Sequence, residues 1–231
     1  MRRRRRKQQL DIFEAGTWGG RRAGAGRPRK PRQSDVPHRT RPVHRKQLPV
    51  HVTLRAIRYD LRQDKMLKIL RGAIDRLANR AAFHVVHYSL QANHIHLIVE
   101  AYDKHALSCG MQHLASSLAR LYNRRVRRKP NAGKLWAYRY HARELASPTE
   151  VRNALVYVLR NGIKHGVAAN EDRYSSAHTF DGFADKQPSD CITQGTTWLL
   201  TLGWRRRGLI RAHERPMPHA PIIWDYFRGK S

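Results

Sequence analysis

The sequence has little cysteine and no long apolar run. Its two cysteines among 231 residues, Cys109 and Cys191, lie far apart with no Cys-x-x-Cys neighbour, which excludes a disulfide framework and a zinc ribbon. No apolar run approaches the roughly 18–20 residues of a membrane span. Polar residues follow the basic residues 1–7 where a signal peptide has its apolar segment. We therefore expect a cytoplasmic protein.

Acidic residues are also scarce. The chain has 17 Asp and Glu against 46 Lys and Arg, a formal net charge of +29. An excess this large repels itself unless a polyanion neutralises it, so nucleic acid is the leading partner and nucleoid association is expected. An anionic membrane is a weaker alternative, because the basic stretches lack the apolar face of an interfacial helix.

Residues 1–48 have the composition of a disordered basic arm. Gly and Pro occur throughout residues 19–32, and no apolar period is present. Segment 24–32 contains Gly-Arg-Pro and resembles an AT-hook, which would insert Arg27 and Arg29 into a narrow A·T minor groove. The simpler interpretation is a solvated tail that attracts phosphate without regard to sequence.

Hydrophobic periodicity predicts a regular order of elements from residue 49 onward. The predicted strands are 50–57, 83–90, 94–100 and 135–141, the last with Trp136, Tyr138 and Tyr140 on one face; the predicted helices are 64–81, 105–129 and 148–165. Ser147 and Glu150 match a capping box at the start of the last helix.

This order is β-α-β-β-α-β-α, and its first six elements match the split β-α-β arrangement of ferredoxin-like folds. We therefore predict an α+β fold with an antiparallel sheet, formed by residues 49–180. The basic arm precedes it, and a basic, partly ordered C-terminal extension follows at 181–231. A short apolar element at 197–204 is expected to pack on the core.

Two sets of residues can carry chemistry. His94 and His96 lie two apart on a predicted strand, so both imidazoles share one face and can bind a metal. Tyr157 and Asn161 lie four apart on one face of the last helix. The opposite, buried side of that helix is predicted to consist of Val151, Ala154, Leu155, Val158 and Leu159. An incidental histidine pair and a helix-edge tyrosine with a hydrogen-bonded hydroxyl are the simpler alternatives.

If the last helix covers the sheet near His94 and His96, these features form one site. Two imidazoles and an amide oxygen would surround a divalent metal that polarises a phosphate oxygen, and Tyr157 would be a nucleophile. Because a phenol has a pKa of about 10, it needs positive charge nearby. The metal, Arg160 and Lys164 are candidates to supply that charge.

The two motifs together resemble a known family. Asn-His-Ile-His-Leu-Ile, from residue 93, resembles the HUH motif, and Tyr-Val-Leu-Arg-Asn-Gly-Ile-Lys-His-Gly, from residue 157, resembles the tyrosine helix of single-tyrosine HUH transposases of the IS200-like and REP-associated types. The resemblance covers about residues 48–180. The family often has Pro after the helix Asn, where this chain has Gly162.

The resemblance implies a transposase-like enzyme that cuts and rejoins single-stranded DNA near hairpins, commonly as a homodimer. It assigns His94, His96 and Asn161 to Mg²⁺ or Mn²⁺, and Tyr157 to attack, which forms a 5′-phosphotyrosine and frees a 3′-hydroxyl. The predicted DNA-contacting residues are Arg27, Arg29, Arg120, Arg124, Arg127, Arg128, Arg160 and Lys164. A domesticated nucleic-acid-binding protein without strand transfer, and a metal-dependent nuclease that activates water, are the alternatives.

Overall fold

The computed structural model describes residues 42–57, 59–78, 81–128, 133–164, 166, 172–185, 194–211 and 213–216. The predicted AT-hook-like segment 24–32, with Arg27 and Arg29, lies outside these residues. Within them, no helix is both long and apolar enough to cross a membrane.

Within the described residues, the fold consists of four strands and three α-helices, followed by short 3₁₀ and π-helical turns. In chain order the strands and α-helices are β1 (Val50–Arg55), α1 (Asp64–Ala78), β2 (Phe83–Leu90), β3 (His94–Ala101), α2 (Lys104–Arg125), β4 (His141–Glu144) and α3 (Pro148–Lys164). The strands form one antiparallel sheet in the order β2-β3-β1-β4. The predicted α+β, ferredoxin-like arrangement is confirmed.

The sheet separates two apolar clusters. Alternate side chains of β1 and β3 pack on α1 and α2, while Ile98 of β3 packs with α3 on the opposite face. This division follows from the period of two along a strand, which sends successive side chains to opposite faces. As a result β3 is buried at all eight of its positions.

The described part of the C-terminal extension packs on the α3 side of the sheet. A π-helical turn (Leu199–Gly203) runs into a 3₁₀ turn (Trp204–Arg207), and we call residues 196–207 the C-terminal turn. The indole of Trp204 is buried in the cluster that contains α3, Phe180 and Phe183. The apolar element predicted at 197–204 therefore does pack on the core.

The fourth strand lies farther along the chain than predicted. The prediction placed it at 135–141, but β4 spans His141–Glu144, and Trp136 forms only an isolated bridge to the end of β1. Thr53 pairs with His141, the first residue of β4, and Ala56 forms the bridge to Trp136. The two positions are three residues apart on the β1 side and five residues apart on the β4 side. The two extra residues form a bulge outside the hydrogen-bonded ladder. Trp136, Tyr138 and Tyr140 therefore do not lie on one face of a regular strand, and that prediction is wrong.

The helices begin close to their predicted positions and end earlier. The helix α1 ends at Ala78 rather than at 81, and α2 ends at Arg125 rather than at 129. At the start of α3 the predicted capping box is present, because the Glu150 amide donates to Ser147 Oγ at 3.2 Å.

Gly110 sets how closely α2 approaches the sheet. A Cβ at this position would overlap the buried ring of Phe83. We expect Gly110→Ala to lower the free energy of unfolding by about 1–3 kcal/mol through overpacking, measured by urea denaturation. The matched control is Gly72→Ala in α1, whose new Cβ would meet nothing closer than Arg76 Nη1 at 3.6 Å. That variant should be stabilised by up to about 1 kcal/mol, and equal effects at both positions would contradict the packing.

Candidate active site

Strand β3 presents His94 and His96 on the sheet face that α3 covers. The two imidazole centroids lie 4.5 Å apart with nearly perpendicular planes, and both side chains are buried. The expectation that the pair shares one face is confirmed, because these positions are two apart on a regular strand.

Helix α3 brings Tyr157 and Asn161 to the same place. The Tyr157 ring lies edge-on to His96 with the centroids 5.0 Å apart. Tyr157 is 6% exposed and Asn161 is fully buried. The predicted burial of the opposite side of α3 is confirmed. The side that carries Tyr157 and Asn161 is buried as well, because the sheet covers one part of the helix and Phe180 and Trp204 cover another.

His96 is held by two side chains of the neighbouring strand β1. Its Nδ1 lies 3.2 Å from His51 Nε2 and 3.1 Å from Thr53 Oγ1. The antiparallel register pairs Thr53 directly with His96, which explains the second contact. Fixing Nδ1 in this way orients the imidazole. Sequence reasoning did not single out either partner, although their positions follow from the β1–β3 pairing of the predicted fold.

Burial keeps His51 neutral. It lowers the pKa of the imidazole from its usual 6.5 to about 3, and the charges of His141, Arg143 and His94 add to the same effect. The His51 ring also stacks on His96 and meets the edge of Tyr157 at 5.9 Å. His51 therefore acts at neutral pH as an uncharged hydrogen-bond partner and as a spacer between the strand and α3.

His94 and Asn161 differ in their side-chain hydrogen bonding. The Nδ1 of His94 lies 2.6 Å from Asn93 Oδ1. Among the described residues, neither side-chain atom of Asn161 has a hydrogen-bond partner. A buried amide without a partner costs about 1–3 kcal/mol, so its retention points to a bound group that this amide contacts.

The side chains of this site can bind a divalent cation only if the Asn161 amide is one of the ligands. Within the described part of the chain, no cluster of three or more His, Cys, Asp and Glu side chains is suited to a metal ion. Two imidazoles held by their Nδ1 atoms and the buried amide oxygen of Asn161 supply three donors of types found in metal sites.

The predicted basic residues occupy three kinds of position. Lys164 Nζ lies 5.4 Å from the centre of the Tyr157 ring, within the site. Arg160 is 4% exposed and its Nε donates to Glu214 O at 3.4 Å, so it holds the C-terminal extension. The Arg127 guanidinium lies over the Tyr59 ring. The exposed predicted arginines are Arg120, Arg124 and Arg128.

Gly162 has a structural explanation. A side chain at this position would overlap the Asp172 carboxylate, which accepts hydrogen bonds from Arg62 at 2.7 and 3.2 Å. Glycine therefore lets the segment after α3 pack directly behind Asn161. The departure from the proline that is common in the resembled family leaves the site residues themselves unchanged.

The chain is similar to known transposases in sequence and in fold. A family model described as "Transposase IS200 like" matches residues 44–161, half of the chain. A solved REP-associated tyrosine transposase bound to a REP hairpin has the same fold, with a TM-score of 0.50 and 16% identity over 62% of this chain and 84% of that chain. A candidate transposase from Deinococcus radiodurans r1 matches with a TM-score of 0.37 and 18% identity, over 53% of this chain and 92% of that chain. The curated proteins gave no match.

Replacing the buried amide tests whether it is retained for function. We expect Asn161→Leu to raise the free energy of unfolding of the metal-free protein by about 1 kcal/mol, because the variant no longer buries an unpaired polar group. The matched control is Asn123→Leu in α2, where the buried amide donates to Gly133 O at 3.1 Å and accepts from Arg127 at 3.2 Å. That variant should lose about 1–2 kcal/mol. Equal destabilisation of both variants in urea denaturation would contradict this interpretation.

Proposed function

The chain belongs to the IS200-like transposase family, and from that premise we propose that it cuts and rejoins single-stranded DNA through a covalent tyrosine intermediate. The observation that carries the proposal is the convergence of His94, His96, Asn161 and Tyr157 in one buried site. The two histidines lie on a strand and the other two residues on a helix far away in sequence, so only the folded chain brings them together.

His94, His96 and Asn161 would hold Mg²⁺ or Mn²⁺. The fit rests on the two oriented imidazoles and on the amide that has no protein partner among the described residues. Bound there, such an ion supplies Lewis-acid polarisation of a phosphate oxygen. The histidines and the amide fix its position relative to Tyr157, because all four side chains project from regular secondary structure.

Tyr157 is the nucleophile in this proposal. Its phenol oxygen forms a bond to phosphorus and loses a proton, while the bond from phosphorus to the 3′ oxygen breaks and that oxygen takes up a proton. The products are a 5′-phosphotyrosine and a free 3′-hydroxyl, and attack by a 3′-hydroxyl reverses the step. Lys164 is the predicted cation that lies beside this nucleophile, with Nζ 5.4 Å from the centre of the Tyr157 ring.

The substrate we propose is hairpin DNA with unpaired flanks. The similar solved transposase is bound to a REP hairpin, and this chain carries a formal net charge of +29. The exposed Arg120, Arg124 and Arg128 would contact phosphates, as would Arg27 and Arg29 of the basic arm, which lie outside the described residues. A homodimer stays a prediction.

Tyr157→Phe should abolish covalent adduct formation. The change removes only the hydroxyl, so folding and DNA binding should be retained while the shifted band on a denaturing gel disappears. The substrate is a labelled hairpin oligonucleotide from the flanks of the gene, incubated with Mn²⁺ or with EDTA. The matched control is Tyr138→Phe, at a half-exposed position outside the site, which should form the adduct at the wild-type rate.

The same denaturing gel, run beside a native gel, separates the alternatives. Metal-dependent cleavage that persists in Tyr157→Phe would indicate a nuclease that activates water, and the proposal would be wrong. DNA binding in a native gel, with no adduct from the wild-type protein under any metal, would indicate a binding protein without strand transfer.

Thr53→Val should weaken metal binding. Valine keeps the β-branched shape but removes the hydroxyl that meets His96 Nδ1 at 3.1 Å, and loss of such an orienting partner typically costs 10–100-fold in metal affinity. We expect about tenfold weaker Mn²⁺ binding by calorimetry on the DNA-free protein. Thr53→Ser keeps the hydroxyl and should bind as the wild type does. Equal Mn²⁺ affinities of the valine variant and the wild type would show that the Thr53 hydroxyl does not orient His96 for metal binding.

A further inference from the structure

The C-terminal turn exposes large apolar side chains beside a run of arginines. Trp198 is 48% exposed and Leu202 60% exposed, while Leu199 and Trp204 face the core. Arg205, Arg206 and Arg207 follow directly. The turn lies outside residues 44–161, which match the family model, so it is an addition to the region that carries the catalytic residues.

The exposed indole of Trp198 has a fixed orientation. A Cβ at Gly203 would come within 2.7 Å of the ring carbon Cζ3, so the ring rests directly on the backbone at this glycine. The guanidinium of Arg206 lies over the same ring, 5.2 Å from its centre, in a cation–π contact. Trp198 is therefore held by its neighbours while nearly half of its surface stays open to solvent.

The central strand anchors the turn that carries this indole. The buried carboxylate of Glu100 on β3 accepts from the amides of Thr196 and Thr197, at 2.8 and 2.7 Å. It also accepts from the Thr196 hydroxyl at 2.8 Å. A preorganised surface loses little conformational entropy when a ligand binds, so the anchoring favours recognition.

The arginines divide into a structural one and two exposed ones. Arg205 is used within the fold, because it pairs with Asp181 at 2.9 Å and donates to Thr201 O at 3.1 Å. Arg206 and Arg207 are exposed, and within the described residues no ion pair involves either of them. An exposed aromatic ring next to two guanidinium groups that form no ion pair within the described residues fits a ligand with flat rings and negative charge.

We propose that Trp198, Arg206 and Arg207 form a stacking platform for an unpaired base of single-stranded DNA. The base would stack on the open part of the indole, and the adjacent phosphates would meet the two arginines. Duplex DNA does not fit, because both faces of a paired base are covered by its neighbours in the helix. The inference rests on the proposed function for the identity of the nucleic acid.

The test compares two hairpin oligonucleotides, one with an unpaired flank and one without it, on the full-length protein. Trp198→Ala should bind the flanked hairpin about tenfold more weakly and the unflanked one as the wild type does. Trp198→Phe keeps an aromatic face and should retain most of the affinity. Leu202→Ala, the matched control at an exposed apolar side chain of the same turn, should change neither affinity.

Arg206→Gln is the second variant, because it still tests the platform if the Trp198→Ala protein does not fold. It should weaken binding of the flanked hairpin and lower the slope of log Kd against log salt by about one phosphate contact. If Trp198→Ala and Arg206→Gln both bind the flanked hairpin as the wild type does, the platform is refuted. If Leu202→Ala weakens binding as much as Trp198→Ala, the patch is a general apolar contact and the stacking proposal is wrong.

Covalent adduct formation by the wild-type protein on the flanked hairpin separates this inference from the proposed function, because that measurement does not involve the platform variants. Loss of flank-dependent binding without any adduct from the wild-type protein would leave the platform supported and the strand-transfer chemistry refuted. An adduct with no effect of the variants on binding would give the reverse result.

Discussion

The structure depends on a central strand that is buried on both faces and still carries polar side chains. Strand β3 is buried at all eight positions, yet His94, His96 and Glu100 alternate along the face towards α3. Buried polar groups are costly unless they find partners. The partners of His96 come from β1, and those of Glu100 come from the start of the C-terminal turn. The candidate active site and the docking of the C-terminal extension thus satisfy one constraint at two ends of the same strand.

Helix α3 contacts both the candidate active site and the C-terminal extension. One part of it turns Tyr157 towards the histidines, and another part meets the C-terminal extension. Arg152 forms a bidentate ion pair with Glu214 at 2.7 and 2.9 Å, and Arg160 donates to the same residue's carbonyl. The orientation of the tyrosine therefore depends on contacts with residues beyond the family-matched region as well as on the sheet.

The sequence predicted the features that depend on local patterns. The spacing of His94 and His96, the spacing of Tyr157 and Asn161, and the capping box of α3 each follow from the period of one element. The position of β4, the burial of both sides of α3 and the partners of His96 depend on contacts between distant segments. The predicted fold places β1 beside β3, which makes residues of β1 such as His51 and Thr53 candidates for contact with His96. Only the strand register shows which of these side chains meet.

The central claim is that the buried histidines and Asn161 form one metal site beside Tyr157. Crystals of the protein grown with Mn²⁺, and measured at a wavelength where manganese scatters anomalously, test it most directly. The account predicts an anomalous peak bounded by His94, His96 and the side-chain oxygen of Asn161. A peak elsewhere, or a fully occupied ion that excludes the Asn161 amide from its ligands, would contradict it.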